Sequence, residues 1–306
     1  MIDSYILGQQ VVNGLTLGSI YGLIAVGYTM VYGIIGMINF AHGDIYMVSA
    51  YISAITLAVI SFFGIQSIPF ALLTTLVITM AITGLYGWSI ERTVYRPLRG
   101  TTRLAPLITA IGVSLVLQNY VQLAQGPNVQ GVPTLIAGSL RLGSDTQFIQ
   151  IRYMSLIIIV VSLLAMAALT WIIQHTSIGR QSRATQQDRK MATILGVNTG
   201  RVISLVFVIG SALAAIAGVL VTLNYGSFDF YVGFIIGIKA FSAAVLGGIG
   251  SLPGAMLGGL LLGVLESIFS GFVSSDYKDV FAFSILVLVL IFKPSGLLGR
   301  PAVEKV

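Results

Sequence analysis

The chain has no cysteine and little charge. Without cysteine there is no disulfide, no thiolate zinc site and no cysteine nucleophile. Only 8% of the 306 residues are Asp, Glu, Lys or Arg, against roughly 25% in a soluble domain. Such a chain cannot cover a surface in water, whereas in lipid it need not. Its histidines, His42 and His175, lie far apart and without paired carboxylates, so a membrane enzyme's acid–base or metal constellation is missing. No glycine run is followed by Lys-Ser or Lys-Thr, which excludes a Walker A phosphate loop. The first ten residues, MIDSYILGQQ, lack a basic n-region and hold Asp3, so no cleavable signal peptide is expected.

What is present is apolar: 56% of residues are hydrophobic and 35 are glycine. Apolar segments run at about 5–35, 44–62, 69–90, 104–124, 153–173, 202–223, 232–249, 253–273 and 279–293. Each approaches the ~20 residues that span a bilayer. The expectation is an all-α polytopic membrane protein, one permease domain over 1–306, with eight to nine transmembrane segments and glycine-rich breaks. The centre of 232–273 is equally readable as a re-entrant hairpin or a broken helix.

Charge gives the orientation. Arg92, Arg96, Arg99 and Arg103 cluster in 91–103; Arg180, Arg183, Arg189, Lys190 and Arg201 in 176–202; Lys293, Arg300 and Lys305 at the C-terminal end. The positive-inside rule puts all three regions in the cytoplasm, with nine crossings, the N-terminus outside and the C-terminus inside. Arg141, Arg152 and Lys278 fall outside, balanced by Asp145, Asp229, Asp276 and Asp279. This distribution accounts for the net +6 without nucleic acid as a partner. The long external loop is 125–152, where Pro127, Pro133, Gly126, Gly131 and Gly143 oppose a continuous helix and β-branched patches suit a short hairpin. Its role is either a lid on the fold or a docking surface for an external partner.

Three places carry candidate chemistry. INFAHGDIYM (38–47) sets Asn39, His42, Gly43 and Asp44 between apolar runs. Gly43 frees the backbone to break a helix. The functional reading puts Asn39, His42 and exposed amides on a permeation path; the bland one is an interfacial turn with His42 and Asp44 capping helices and facing headgroups. The second is 243–266, with Gly247, Gly248, Gly250, Gly254, Gly258, Gly259 and Gly263. Most of these suit close helix packing, while the break at Gly247 and Gly248 offers unwound backbone to a path. The two breaks, 36–43 and 247–259, resemble the paired interruptions of transporters with internal repeats. Third, Lys239 and Glu266 are charges inside apolar segments, each costing about 2.5–3.5 kcal/mol at a helix centre. Counted from a turn at Ser251 they sit 12 and 15 residues away, an offset of roughly 4–5 Å. Pairing then needs a tilt or a break; otherwise they line the path or snorkel.

The polar island 174–201 has its own order. Ile178, Gly179 and Arg180 end one span, the proline- and glycine-free run 181–195 can be helical, and Gly196 ends that helix. Asn198 caps the next helix and Val202 opens the following span. Met191, Ile194 and Leu195 share a face, with Ala192 beside it. An amphipathic helix on anionic lipid is one reading; the small residues Ala192 and Gly196 favour a socket in another protein.

The pattern GR..RA.....MA..LGVN..RV, with INFAHG before it and KAF.AAVLGGIGS.PGA..GG after it, resembles the permease family of branched-chain amino acid ABC importers. The resemblance runs over essentially the whole chain. It implies an ABC importer permease fold in a bacterial inner membrane, without enzymatic activity. It implies a second homologous permease, two ATP-binding subunits that carry ATP-Mg, and a periplasmic substrate-binding protein docking on the 125–152 side. No cofactor or metal is expected on this chain. The coupling helix would be Met191, Ala192, Ile194, Leu195, Gly196 and Val197; the path candidates are Asn39, His42, Gly43, Lys239, Gly247, Gly248 and Glu266. Rival expectations are an ion-coupled secondary transporter of small neutral solutes, which would show intramembrane carboxylates, a channel, or within the family a urea or amide permease.

Overall fold

The computed structural model describes residues 4–299 except 38, 103, 134 and 144–147. Arg103, Asp145, Arg300 and Lys305, used above for orientation, lie outside the described residues. The helices are α1 (Ser4–Ile35), α2 (Ala41–Phe62), α3 (Ile68–Ile90, prolonged by a π-helical turn Glu91–Tyr95), α4 (Leu104–Gln125), α5 (Tyr153–His175), α6 (Ser177–Gln187), α7 (Arg189–Ile194), α8 (Thr199–Tyr225), α9 (Val232–Gly247), α10 (Leu252–Phe272) and α11 (Lys278–Phe292). Short strands β1 (Gln130–Gly131), β2 (Ser139–Gly143), β3 (Phe148–Arg152) and β4 (Ser227–Phe228) complete the fold.

All nine apolar segments are helical. Among the described residues, seven of these helices are long and apolar enough to span a bilayer. The exceptions are α9 and α11, with 16 and 15 residues. At 1.5 Å per residue they reach about 24 and 22 Å, short of the ~30 Å hydrocarbon core. Nine full crossings therefore become seven full-length spans and two short ones. For α9 the reason lies in what precedes it. Phe228 of β4 packs edge-on against Tyr51, with ring centroids 5.0 Å apart. Tyr51 is midway along α2, so the 226–231 segment has already turned back beside the middle of that helix. The pass made by 226–247 is thus part extended chain and part α9, while α10 is a separate full-length span, so 232–273 holds two helices joined at 248–251.

The loop 125–152 contains the expected hairpin, β2 against β3, with Ser139 opposite Arg152. Its first part pairs β1 with β4. The side chain of Gln9 on α1 bonds to the backbone of Gln150: Gln150 N donates to Gln9 Oε1 at 2.7 Å, and Gln9 Nε2 donates to Gln150 O at 3.1 Å. These contacts gather one end of the molecule. At the other, Leu297 N and Leu298 N donate to Leu246 O and Gly247 O, and Ser204 on α8 donates to Glu91 after α3.

Packing is densest around α1, α2, α8, α9 and α10, where small residues let backbones touch. A Cβ on Gly259 would overlap Gly22, and one on Gly263 would overlap Gly18, so α1 and α10 are in backbone contact. On the other side of α10, Gly254 and Gly258 meet Gly247 of α9. Gly43 is helical, not a breaker: it sits against Gly233 and Gly237, where a side chain would drive α2 from α9. Leu73, Val77 and Leu85 of α3, and Leu164 and Trp171 of α5, point outward and are exposed, as lipid-facing residues are.

This packing makes a stability prediction. Gly263→Leu should destabilise the purified chain in detergent by about 3 kcal/mol, because the clash is with backbone that has no rotamer to yield. Gly112→Leu on α4, where a Cβ meets nothing within 4 Å, should stay within about 1 kcal/mol of wild type. Equal thermal midpoints for the two variants would refute the glycine-contact account.

Candidate functional site

The polar island folds as two helices, not one. The expected helix over 181–195 breaks at Asp188, which is extended (φ −154°, ψ 107°). Its Oδ1 accepts from Met191 N at 3.0 Å, so the side chain caps α7 and takes a backbone donor that a continuous helix would have used. Nor do Ile178, Gly179 and Arg180 end the preceding span. That span stops at His175, and these residues form the first turn of α6. Gly179 lies against the Ile173 carbonyl, where a Cβ would overlap it, so the chain turns a sharp corner. Arg183 Nη1 donates to the same carbonyl.

The end of α7 is equally defined. Gly196 has φ +84°. Val197 N donates to Ala192 O at 3.0 Å and Gly196 N to Thr193 O at 3.0 Å, the paired bonds of a Schellman ending. Asn198 Oδ1 then accepts from Arg201 N at 3.0 Å and opens α8. A six-residue helix is marginal by itself; here both ends are closed by side-chain or glycine geometry. Of the predicted coupling residues, Met191, Ile194 and Leu195 are 52%, 77% and 75% exposed. Gly196 is exposed and Val197 half-buried. Ala192 is buried and faces its own subunit, so it seats the helix instead of being presented. An apolar face thus projects outward among the exposed cations Arg189, Lys190 and Arg201.

Lys239 and Glu266 come together. Lys239 Nζ donates to Glu266 Oε1 at 2.6 Å and lies 2.5 Å from Asp279 Oδ1 on α11. Tyr21 OH on α1 donates to Glu266 Oε2 at 3.1 Å. Both members of the pair are nearly inaccessible. The three-residue offset is closed by side-chain direction. Helical Cβ atoms tilt toward the N-terminus, so in the antiparallel pair α9–α10 the lysine reaches one way and the glutamate the other. Four helices are therefore tied at one point. Neither residue snorkels: the lysine is neutralised inside the protein.

Asn39 and His42 are also buried, and the interfacial-turn reading fails because neither they nor Asp44 faces outward. Asn39 Oδ1 accepts from Tyr95 OH at 2.5 Å. His42 wedges between Gly27 of α1 and Gly210 of α8 and packs edge-on against Tyr28. Asp44 does not cap α2; Gln118 Nε2 of α4 donates to its Oδ1 at 3.0 Å. Gly247 and Gly248 line neither described cavity. Gly247 packs on Gly254, and Gly248, with φ +107°, packs against Gly296 and Gly299 of the C-terminal segment. The path candidates therefore separate into a polar cluster at the start of α2, an ionic cluster among α1, α9, α10 and α11, and a packed glycine corner.

Several residues escaped the sequence reading. Asp279 counted only as an external balancing acid. Glu91 was not singled out and Arg99 counted only toward the basic cluster of 91–103, yet Glu91 is fully buried and paired with Arg99 and Ser204. Burial and the neighbouring Arg189 and Arg96 lower the pKa of the Arg99 guanidinium, and Glu91 opposes that shift. Tyr21 and Gln118 carried no pattern. A polar residue in an apolar run was the available signal, and sequence separations of 245 and 74 residues hid the partners.

Seven long apolar helices around buried polar side chains are the architecture of a polytopic membrane protein. The chain belongs to the family described as branched-chain amino acid transport system / permease component, which it matches over residues 10–290. It is 52% identical over 307 residues to the high-affinity branched-chain amino acid transport system permease protein BraD of Pseudomonas aeruginosa, covering 100% of both chains. Identity is also 52% to LivH of the corresponding Escherichia coli system, over 97% of each chain. LivM of Escherichia coli is 27% identical, over 96% of this chain and 71% of its own length. No solved structure matches.

The ionic cluster is testable. Lys239→Met leaves Glu266 buried without its cation and should cost about 3–5 kcal/mol of stability. Adding Glu266→Gln should restore at least half of that loss. A double variant no more stable than Lys239→Met alone, in the same thermal assay, would show that the pair is not the source.

Proposed function

We propose that this chain is one of two permeases of an ATP-driven importer of branched-chain amino acids in a bacterial inner membrane. The likeness over the full length to BraD and LivH carries the reading. The weaker likeness to LivM supports a second, different permease as its partner. Separate ATPase subunits bind ATP-Mg, and a periplasmic binding protein delivers the substrate to the 125–152 side. The C-terminus is cytoplasmic, on the same side as α7.

The coupling element is α7. Its exposed Met191, Ile194 and Leu195 offer an apolar plug for a socket, and the cations around it suit an acidic rim. Because both ends of α7 are fixed, displacement of the plug moves α6 and α8 with it. ATP-driven closure of the two ATPases would rock α5 and α8 between inward- and outward-facing states. Selectivity rests mostly with the binding protein. Of the path candidates, Asn39 and His42 remain as inner lining. Lys239 and Glu266 act as a hinge-holding ion pair.

An ion-coupled transporter has one observation in its favour, the buried carboxylates Asp44 and Glu266. Glu266 is neutralised by Lys239, which weakens it as an ion relay. Proteoliposomes holding the chain and its sister permease alone should not accumulate leucine under a proton gradient; accumulation would establish the rival. The full assembly with binding protein should show ATPase stimulation by leucine, isoleucine or valine and none by urea.

Gly196→Val should abolish most ATP-driven leucine uptake, roughly a tenfold loss or more, with normal membrane insertion. Its φ is positive and its surroundings are open. The substitution therefore distorts the end of α7 without a clash inside the subunit. Unchanged uptake would remove α7 as the coupling element.

A further inference from the structure

Glu91 opens the π-helical turn that prolongs α3, in which Arg96 N donates to Glu91 O at 2.7 Å across five residues. Such turns are rare and frequent at functional sites. This one reaches two ways. The Glu91 carboxylate is fully buried; its Oε2 accepts from Ser204 Oγ of α8 and its Oε1 from Arg99 Nη2. Tyr95 is buried, donates its hydroxyl to Asn39 Oδ1 just before α2, and lays its ring against Phe207 of α8, with centroids 5.4 Å apart. Ser204 and Phe207, three residues apart, share one face of α8. The turn is therefore bonded to α8 on one side and to the polar cluster at the start of α2 on the other.

Two observations set this contact apart from an ordinary buried pair. First, it holds the polar tie between α3 and α8. Along the span these helices lie close, and a Cβ on Gly87 would overlap Ser211. Yet Thr75, Thr79 and Thr83, four residues apart on the buried face of α3, have hydroxyls without a partner among the described residues, as does Ser211. Among the described residues no hydrogen bond joins the two helices over that length; the bond from Ser204 to Glu91 does so at the end next to α7. Second, the cluster adjoins α7. Arg99 Nη1 lies beside Gly200 in the first turn of α8, and Arg99 is near enough to Arg189, the first residue of α7, for their charges to interact. A buried charge pair is a weak source of stability but demands strict geometry.

We propose that Glu91 is a positioning residue for transport: it fastens the start of α8 to the π-helical turn, so that a displacement of α7 passes through Tyr95 to Asn39 on the inner lining of the path. This route rests on α7 as the coupling element and adds the contacts that carry its movement inside the subunit. Asn39 is suited to respond. Its Nδ2 has no partner among the described residues, so of the described contacts the Tyr95 hydroxyl is the one that fixes its side chain. A shift of Tyr95 then reorients it. Because the span between α3 and α8 carries no other polar tie, movement at the α7 end is shared through Glu91.

Two hydroxyl deletions test this in the assembled transporter with its binding protein. Ser204→Ala removes the bond from α8 and leaves Glu91 paired with Arg99; Tyr95→Phe removes the bond to Asn39 and keeps a ring on Phe207. ATP hydrolysis and leucine uptake are measured on the same proteoliposomes. Each variant should keep ATPase turnover within about twofold of wild type while uptake falls about fivefold or more, as loss of a buried, geometry-setting hydrogen bond permits. The ATP hydrolysed per leucine therefore rises severalfold. Because the two contacts act in series, the double variant should take up no less leucine than the worse single one. Thr79→Val, which deletes an unpartnered hydroxyl from the same helix contact, should leave the ratio unchanged. ATPase activity and uptake falling in parallel would mean that the contacts only hold the fold. That result overturns the proposal, as do unchanged uptake in either single variant, losses that multiply in the double variant, or equal uncoupling by Thr79→Val. If one variant does not assemble, the ratio in the other decides. Failure of the underlying reading looks different: a wild-type assembly without ATP-driven uptake refutes the importer, and unchanged uptake by Gly196→Val removes α7, whatever Ser204 and Tyr95 do.

Discussion

Helices α1, α9 and α10 touch backbone to backbone, and the rest of the molecule is arranged around that contact. In lipid there is no hydrophobic drive to bring two apolar helices together. What remains is dispersion and interhelical polar bonding, and both require close approach. Gly18 and Gly22 facing Gly259 and Gly263 give that approach on one side of α10; Gly254 and Gly258 facing Gly247 give it on the other. Gly43 against Gly233 extends the same logic to α2. Once the backbones are fixed, Lys239 and Glu266 meet across the α9–α10 pair with Tyr21 and Asp279 around them. A charge pair of this kind is a weak source of stability but a strict condition on geometry.

The same closeness explains where function is free to be. The core helices have no slack, so moving parts belong at the edges. α7 stands out from the bundle with its ends locked by Asp188 and Gly196 and its apolar face uncovered. At the opposite end the extended segments at β1 and β4 replace part of one crossing and leave a groove beside α2. The two regions are bridged by α8, whose first turn follows α7 and whose far end leads into β4. A displacement at one end therefore has a single continuous helix through which to act at the other.

Much of this was legible in the sequence, and the parts that were not share a cause. The nine apolar segments, the hairpin after α4, the break at 248–251 and the packing role of the later glycines follow from local composition and spacing. The island was read nearly right: its apolar stripe, the stop at Gly196 and the cap at Asn198 are present. Its split at Asp188 was missed because the run contains neither proline nor glycine, and a capping carboxylate competes with the helix only when the backbone around it is already bent. His42 and Asp44 were placed at an interface on one reading because polar residues after a break usually sit there. Their burial depends on Gly27, Gly210 and Gln118, all distant in sequence.

By itself the sequence determined the membrane class, the number of apolar passes and the stretch that projects as α7, because each depends on residue type within a short window. Only the tertiary structure decided that Lys239 is held by two carboxylates and that Glu91 is buried against Arg99. It alone turned part of one pass into extended chain beside Tyr51. These are outcomes of which helix faces meet. A helix face is set locally, but the partner that covers it is chosen by the whole bundle's need to leave no polar group against lipid.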